Sequence, residues 1–358
     1  MKSLPLLVAG AALAGMLAAD RACGAQLQAG ACPVSPDLRD QPAAVALIAR
    51  ARAHLDATPQ ALAHLHTEGT LPHQGIRDAS ERAERDFPLM RDAALAWRLT
   101  GEPAFAAQVD TDLRAWLGLY EPDFNPIDET RLDALIQAYV LAQPALATGT
   151  VALAQSFLRR LAQGYIAQSS ARVRADRRPS GTWVNNWQSH RIKLMALSAA
   201  ALQDPALMQE VRSLFAQQIE NNVRPDGSVE DFEDRDALHY VVYDLEPLTA
   251  AALAARQFGQ DWLHLKGSRG QDLAAALDWL VPYAQGSRTH EEFVHTHVAF
   301  DRKRAKAGLP GYAGLWDPQG AATLFRQAAQ LDPAYQDLTD RLTSRAPEWQ
   351  LICMPPRH

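Results

Sequence analysis

The sequence predicts an all-α fold, an incomplete (α/α) toroid of about five to six antiparallel helix hairpins. Three observations carry that expectation. Beyond residue 40 the chain is dominated by Ala, Leu, Gln and Arg, and apolar residues recur every three or four positions, the spacing of a helix with one buried face. Short breakers split these segments into pairs, and successive antiparallel pairs close into either a solenoid or a toroid. No sequence motif recurs at the roughly 34- to 40-residue periods of helical solenoids, which favours the toroid.

Taken in order, the first segment reads as an export signal. Lys2 supplies the charge, Leu4 to Ala19 the apolar core, and Ala22-Cys23-Gly24-Ala25 a small-residue cleavage site. Residues 1–25 are therefore expected to be a signal peptide and residues 26–358 a single catalytic domain. Cleavage after Ala25 leaves Cys32 and Cys353, a candidate disulfide in an oxidising compartment. Leu99-Thr100-Gly101-Glu102-Pro103 splits one hairpin, with Gly101 as a C-cap and Pro103 opening the next helix. Gln203-Asp204-Pro205 and Leu331-Asp332-Pro333 repeat another device, an aspartate N-cap before a first-turn proline. Strand signals are few. The best is Glu291 to Phe300, where Phe293-Val294-His295-Thr296-His297-Val298 alternates apolar and polar and is expected to run extended.

Composition narrows the function. The hydrophobic fraction is 47%, and no stretch beyond the N-terminal segment reaches membrane-spanning length. The net charge of −6 disfavours nucleic acid, so a polyanionic partner needs a local basic cleft. We expect an exported, periplasmic or secreted monomer, not bound to a membrane after signal cleavage. His295 and His297 at i, i+2 lack a third ligand of clear spacing, so neither a metal nor a cofactor is expected.

Chemistry concentrates in two stretches. Trp183 to His190 reads WVNNWQSH, and Asp231 to Leu248 reads DFEDRDALHYVVYDLEPL. Each gathers amide, imidazole, guanidinium or phenol groups at the end of an Ala/Leu-rich helical segment. Those groups can neutralise a carboxylate and move a proton beside it, which is what β-elimination from a uronate requires. With Phe124 to Thr130 (FNPIDET), Met90 to Gly101 and Phe293 to Gly308, these stretches resemble the bacterial alginate lyases. These are periplasmic (α/α)-toroid polysaccharide lyases that cleave uronic acid polymers by β-elimination.

The resemblance implies roles by position. Asn186 matches the asparagine that neutralises the substrate carboxylate. The family's next residue is a histidine, whereas Trp187 stands here; His190, four residues after Asn186, shares its helix face and is expected to supply the imidazole. Asn185 is expected to cap the helix. Tyr240 matches the catalytic tyrosine that serves as base and then acid. Arg235 is the guanidinium expected to meet it, at a spacing of five where the family has seven. Five helical residues turn the direction by roughly 140°, so Arg235 must precede the helix that carries Tyr240, with Asp234 or Asp236 as its cap. His239 is a second candidate base and Tyr243 an alternative phenol. Trp183, Trp187, Tyr243, Arg178, His73 and His295 are expected to bind substrate, an acidic polysaccharide, most directly poly-mannuronate alginate. Asn125, Asp128 and Glu129 read as turn and cap structure. Two other classes remain open: an inverting glycoside hydrolase using carboxylates from Asp231, Glu233, Asp234 and Asp236, and a non-catalytic uronan-binding protein.

Overall fold

The structure, a computed structural model, describes residues 32–176, 179–342 and 346–354. The expected signal segment and Arg178 lie outside the described residues. Helices α1 (Pro42–Arg52), α2 (Arg77–Ala83), α3 (Asp86–Thr100), α4 (Pro103–Leu119), α5 (Leu132–Ala142) and α6 (Thr148–Ala175) form the first half. The second half contains α7 (Asn186–Leu202), α8 (Pro205–Asn222), α9 (Glu230–Arg235), α10 (Leu238–Arg256) and α11 (Leu273–Ala284). It ends with α12 (Ala299–Lys306), α13 (Ala322–Leu331), α14 (Gln336–Arg341) and α15 (Glu348–Cys353).

Helices α3, α5, α7, α10 and α13 pack successively against one another as an inner layer. Between them the chain passes outward through α4, α6, α8 and α11, each packed on the inner helix before it or after it. The result is the expected toroid, with α14 following the fifth inner helix. Inner helices touch neighbours on every side. Accordingly α7 buries polar residues such as Gln188, Ser189 and Lys193 along with its apolar ones.

The breakers act as read from the sequence. Gly101 ends α3 in the left-handed conformation (φ 73°), where a Cβ would be strained. Asp204 accepts the Leu207 N–H at 3.0 Å, with Pro205 in the first turn. Asp332 accepts the Ala334 N–H at 2.9 Å at the start of a 3₁₀ turn that leads into α14. Two prolines depart from that rule. Pro247 and Pro282 lie inside α10 and α11. A proline costs a helix one backbone hydrogen bond, and the packing on several sides of α10 outweighs that loss.

The expected strand does not form. Glu291 makes only an isolated bridge to Leu315, the chain then turns, and Ala299 already opens α12. Phe293 takes φ 63°, which breaks an extended run whatever its alternation. Cys32 and Cys353 are joined by a disulfide with Cα atoms 4.3 Å apart, closing a separation of 321 residues. It fastens the chain ahead of α1 to the end of α15, which packs on α1. Among the described residues no helix is long and apolar enough to cross a membrane.

Candidate active site

The N-terminal ends of α7 and α10 meet at one mouth of the toroid, under the segment that carries α12. Asn185 caps α7, its side chain accepting the Trp187 N–H at 3.1 Å, so Asn186 becomes the first helical residue. Asn186 donates from its backbone N–H and its side-chain amide, each at 2.7 Å, to the two oxygens of Asp231. Asp231 is fully buried and also accepts from Arg235 Nε at 3.2 Å. Burial raises its pKa to about 6, against the pull of Arg235 and the Asn186 hydrogen bonds. One carboxylate thus holds together the two motifs that the sequence separates by about fifty residues.

Arg235 ends α9, and the chain reverses at Asp236 in the left-handed region (φ 50°) before α10 begins. Arg235 therefore precedes the helix of Tyr240, as the spacing of five requires. The expected aspartate cap is replaced. Glu292, from the loop after α11, accepts the N–H groups of Leu238 and His239 at 2.7 and 3.0 Å. Asp236 instead holds that loop, accepting the His295 N–H at 2.8 Å on its side chain and the Phe293 N–H at 2.8 Å on its carbonyl.

Tyr240 is buried but for its exposed edge, at 6% relative exposure. The Arg235 guanidinium lies 3.8 Å from the centre of its ring, as a cation over the π face. Arg235 does not hydrogen-bond the hydroxyl; its Nη1 donates to both oxygens of Asp301 at 2.7 Å. The hydroxyl receives Arg304 Nη1 at 2.7 Å. Asp301, fully buried, lies 3.4 Å from the same Arg304 nitrogen and so orients both guanidiniums. Burial pushes the Tyr240 pKa well above the ordinary phenol value, while Arg235 and Arg304 pull it down. His239 stands beside Tyr240, ring centres 5.3 Å apart and edge-on. Its pKa is lowered, first by desolvation among the groove side chains and then by the Arg304 charge.

These groups line a groove of about 550 Å³ that also takes in Trp187, Tyr243 and Tyr312. Glu68 and Gly69 approach from the loop after α1, which Asp128 fastens by accepting the Thr67 and Glu68 N–H groups, each at 2.7 Å. The FNPIDET segment is thus a brace. Its Glu129 is buried among the hydroxyls of Tyr120 and Tyr165.

A family model described as alginate lyase matches residues 37–290, more than half of the chain. The chain belongs to the alginate lyase family. It is a polysaccharide lyase. An alginate lyase from Bacteroides ovatus is similar in structure, with TM-score 0.64 and 15% identity over 93% of this chain and 97% of that one. Alginate lyase A1-III from Sphingomonas species A1 gives TM-score 0.54 and 17% identity over 91% and 95%. A histidine-to-alanine variant of A1-III complexed with a tetrasaccharide gives 0.55 and 19% over 92% and 96%. At these identities the likeness is one of fold. No curated protein sequence matches the chain.

In this alginate lyase family member the groove gathers Asn186, Trp187, Arg235, His239, Tyr240 and Tyr243. Among the described residues it does not gather the other expected ones, His190, Trp183, His73 and His295. His190 lies behind the groove wall, buried, with Nδ1 2.8 Å from Thr130 Oγ1 and its ring 4.3 Å from that of Tyr243. Burial, and then Lys193, hold its pKa well below the ordinary value, so it is neutral. Its buried Nε2 has no hydrogen-bond partner among the described residues, so the ring is held by Thr130 on one side and by the Tyr243 ring on the other. That is a role in bracing α7 against α10, and it corrects the expectation of an imidazole aimed at substrate. Trp183 packs under Arg191, 4.0 Å from ring centre to guanidinium carbon, outside the groove. His73 pairs with Asp78 at 2.7 Å on the surface, and the exposed His295 reaches Asp236 only through its backbone. Arg304 and Tyr312 were missed. The i, i+3 spacing of Asp301 and Arg304 was the available signal, but an acid–base pair on a short basic helix reads as a solvated surface pair.

Proposed function

We propose that this lyase cleaves a uronic acid polymer, poly-mannuronate alginate foremost, by β-elimination, leaving a 4,5-unsaturated uronate end. Asn186 and Arg235 neutralise the C5 carboxylate, each from a position already set by Asp231. Tyr240, a neutral phenol at rest, first loses its proton to solvent, and the two guanidiniums beside it favour the phenolate so formed. The phenolate oxygen takes the C5 proton, the C4–O bond breaks as the double bond forms, and the new phenol returns that proton to the departing glycosidic oxygen. The observation that carries the reading is Tyr240 set between two guanidiniums, with Arg304 at 2.7 Å from its oxygen and Arg235 on its face. Burial keeps the resting phenol neutral, so the two cations contribute by lowering the cost of the phenolate that the reaction needs.

A second assignment within the same reaction rests on His239. It is exposed in the groove and carries a lowered pKa, so a neutral imidazole is present at neutral pH, and it lies edge-on to Tyr240. There His239 takes the C5 proton and Tyr240 gives its own to the leaving oxygen, which suits a substrate with the two on opposite faces, as in guluronate. An inverting hydrolase fits less well. It needs two carboxylates flanking the bond, about 6.5 to 9.5 Å apart, whereas Glu68 is the one carboxylate among the described groove residues and Asp231 is buried and engaged.

The test is incubation of the exported protein with poly-mannuronate, poly-guluronate and glucuronan, following the ultraviolet absorbance of the unsaturated product. Elimination gives absorbance with each new end. New reducing ends without absorbance mean a hydrolase, and binding without either means a lectin-like protein.

A further inference from the structure

The opposite mouth of the toroid holds a second cavity, of about 380 Å³. Asn186 and Tyr240 start α7 and α10 at the groove; Ala201 and Leu253 line this cavity near the ends of the same two helices. Fourteen helical residues separate Asn186 from Ala200, about 21 Å along the axis, so the two sites are distinct. The volume falls within the range of small-molecule sites, roughly 300 to 1,000 Å³.

Its lining is apolar, from Ile136, Val140, Leu141, Leu197 and Leu253, with two exceptions of charge: Arg91 and Arg256. Among the described residues no carboxylate lines it, in a chain whose net charge is −6. Arg256, exposed at the mouth, is engaged by the carbonyls of Gln330 and Leu331 at the end of α13. Arg91 is different. Its guanidinium lies 4.2 Å from the centre of the Trp349 ring and donates once, to Gln137 Oε1 at 3.1 Å. Its Nε is buried without a hydrogen-bond partner, and among the described residues it forms no ion pair. The nearby acids are already taken: Asp92 by Arg50 and Asp133 by Lys193, each at 2.7 Å. Burial lowers its pKa only to about 10, so it stays charged at neutral pH. A second polar group is also unmet. Gln327, 5% exposed, lines the cavity with a buried Oε1 that has no partner. A half-buried cation with a buried, unpaired Nε and no counter-ion, and an unpaired buried amide oxygen, are each costly, and an occupant that meets both reduces the cost.

We propose that this cavity binds a small amphipathic carboxylate, an acyl chain lying on the Leu/Val wall with its carboxylate at Arg91. Gln327 adds an amide contact. The Cys32–Cys353 disulfide holds part of the rim, since Cys32, Pro33, Cys353 and Met354 all line it.

Calorimetric titration of the oxidised protein with decanoate, below its micelle concentration, tests this, with decyltrimethylammonium as the cation of equal chain length. Saturable binding of one decanoate per chain is expected, with at least about tenfold weaker binding of the cation, a difference of about 1.4 kcal/mol. Arg91→Met should lower decanoate affinity by a similar factor. Ala201→Phe, which fills the cavity and keeps Arg91, should abolish binding while thermal unfolding and lyase activity stay near those of the parent. If Arg91→Met does not fold, Ala201→Phe decides alone. Absence of saturable decanoate binding, equal binding of the cation, or unchanged affinity in Ala201→Phe overturns the proposal. The first of these would mean that the chain itself fills the cavity.

Discussion

Asp301→Asn removes one charge and almost no volume from the centre of the site, and its consequences follow from the contacts of the carboxylate. Both oxygens accept Arg235 Nη1 at 2.7 Å, Arg304 lies 3.4 Å away, and Thr296 donates to Oδ2 at 3.2 Å, all around a fully buried carboxylate. Removing one partner of a buried pair costs about 3 to 5 kcal/mol. Arg235 keeps Asp231 as a second acid, which argues for the low end, about 3 kcal/mol. With an unfolding entropy of about 0.7 kcal/mol/K for a chain of this length, the unfolding temperature should fall by about 4 °C. Turnover should fall as well. If the Arg304–Tyr240 hydrogen bond is lost with the clamp, about 1.5 to 3 kcal/mol of charge-assisted stabilisation disappears, or about 10- to 150-fold in rate. Circular dichroism melting and initial rates on poly-mannuronate are the assays. An Asp301→Asn protein with the parent's melting temperature and turnover would refute the clamp and the electrostatic reasoning built on it.

Stability should fall as pH rises from about 5 to 8. Burial raises Glu84, Glu129, Glu246, Glu292 and Asp112 to about 7, Asp231 to about 6 and Asp244 to about 8. The folded chain therefore binds more protons than the unfolded one across that window, and the slope of stability with pH is negative there; a melting temperature that climbs over the same range contradicts it. Reducing the Cys32–Cys353 disulfide should remove about 6 kcal/mol at most in the chain-entropy account, measured as a lower denaturation midpoint under reducing conditions, and thiol titration of the unfolded, unreduced protein should find neither cysteine free. Asn186→Ala should lower turnover by about 10² to 10³-fold, and combining it with Tyr240→Phe should cost less than the two losses together, because both act on one transition state. Full additivity in that cycle would separate their roles.

Much of the fold was legible in the chain because helix pairs announce themselves locally. Gly101, Asp204 and Asp332 terminate or cap through their own side chains or backbone, and a short window contains all the relevant physics. Pro247 inside α10 is not explained by such a window, because the neighbours that hold α10 together on both sides lie far away in sequence. The Phe293–Val298 alternation failed because a single left-handed residue outweighs a weak period-two pattern. At the site, the motif positions of Asn186, Arg235 and Tyr240 were legible, and so was the need for Arg235 to precede its helix. Which guanidinium reaches the Tyr240 oxygen was not. That depends on Asp301, sixty-six residues beyond Arg235, capturing Arg235 and leaving Arg304 to the hydroxyl. His190 shares a helix with Asn186, but a direction on a helix does not say whether groove or core lies beyond it; the Thr130 and Tyr243 contacts decide that.

The central claim is that the Tyr240 oxygen carries the proton. Tyr240→Phe keeps the ring between Arg235 and Tyr243 and removes only the group that Arg304 holds. General acid–base catalysis contributes typically about 10² to 10⁴-fold. Initial rates of unsaturated uronate formation on poly-mannuronate should therefore fall at least that far, with KM little changed. Retention of more than a tenth of the parent's turnover would contradict the account and move the proton transfer to His239 or Tyr243.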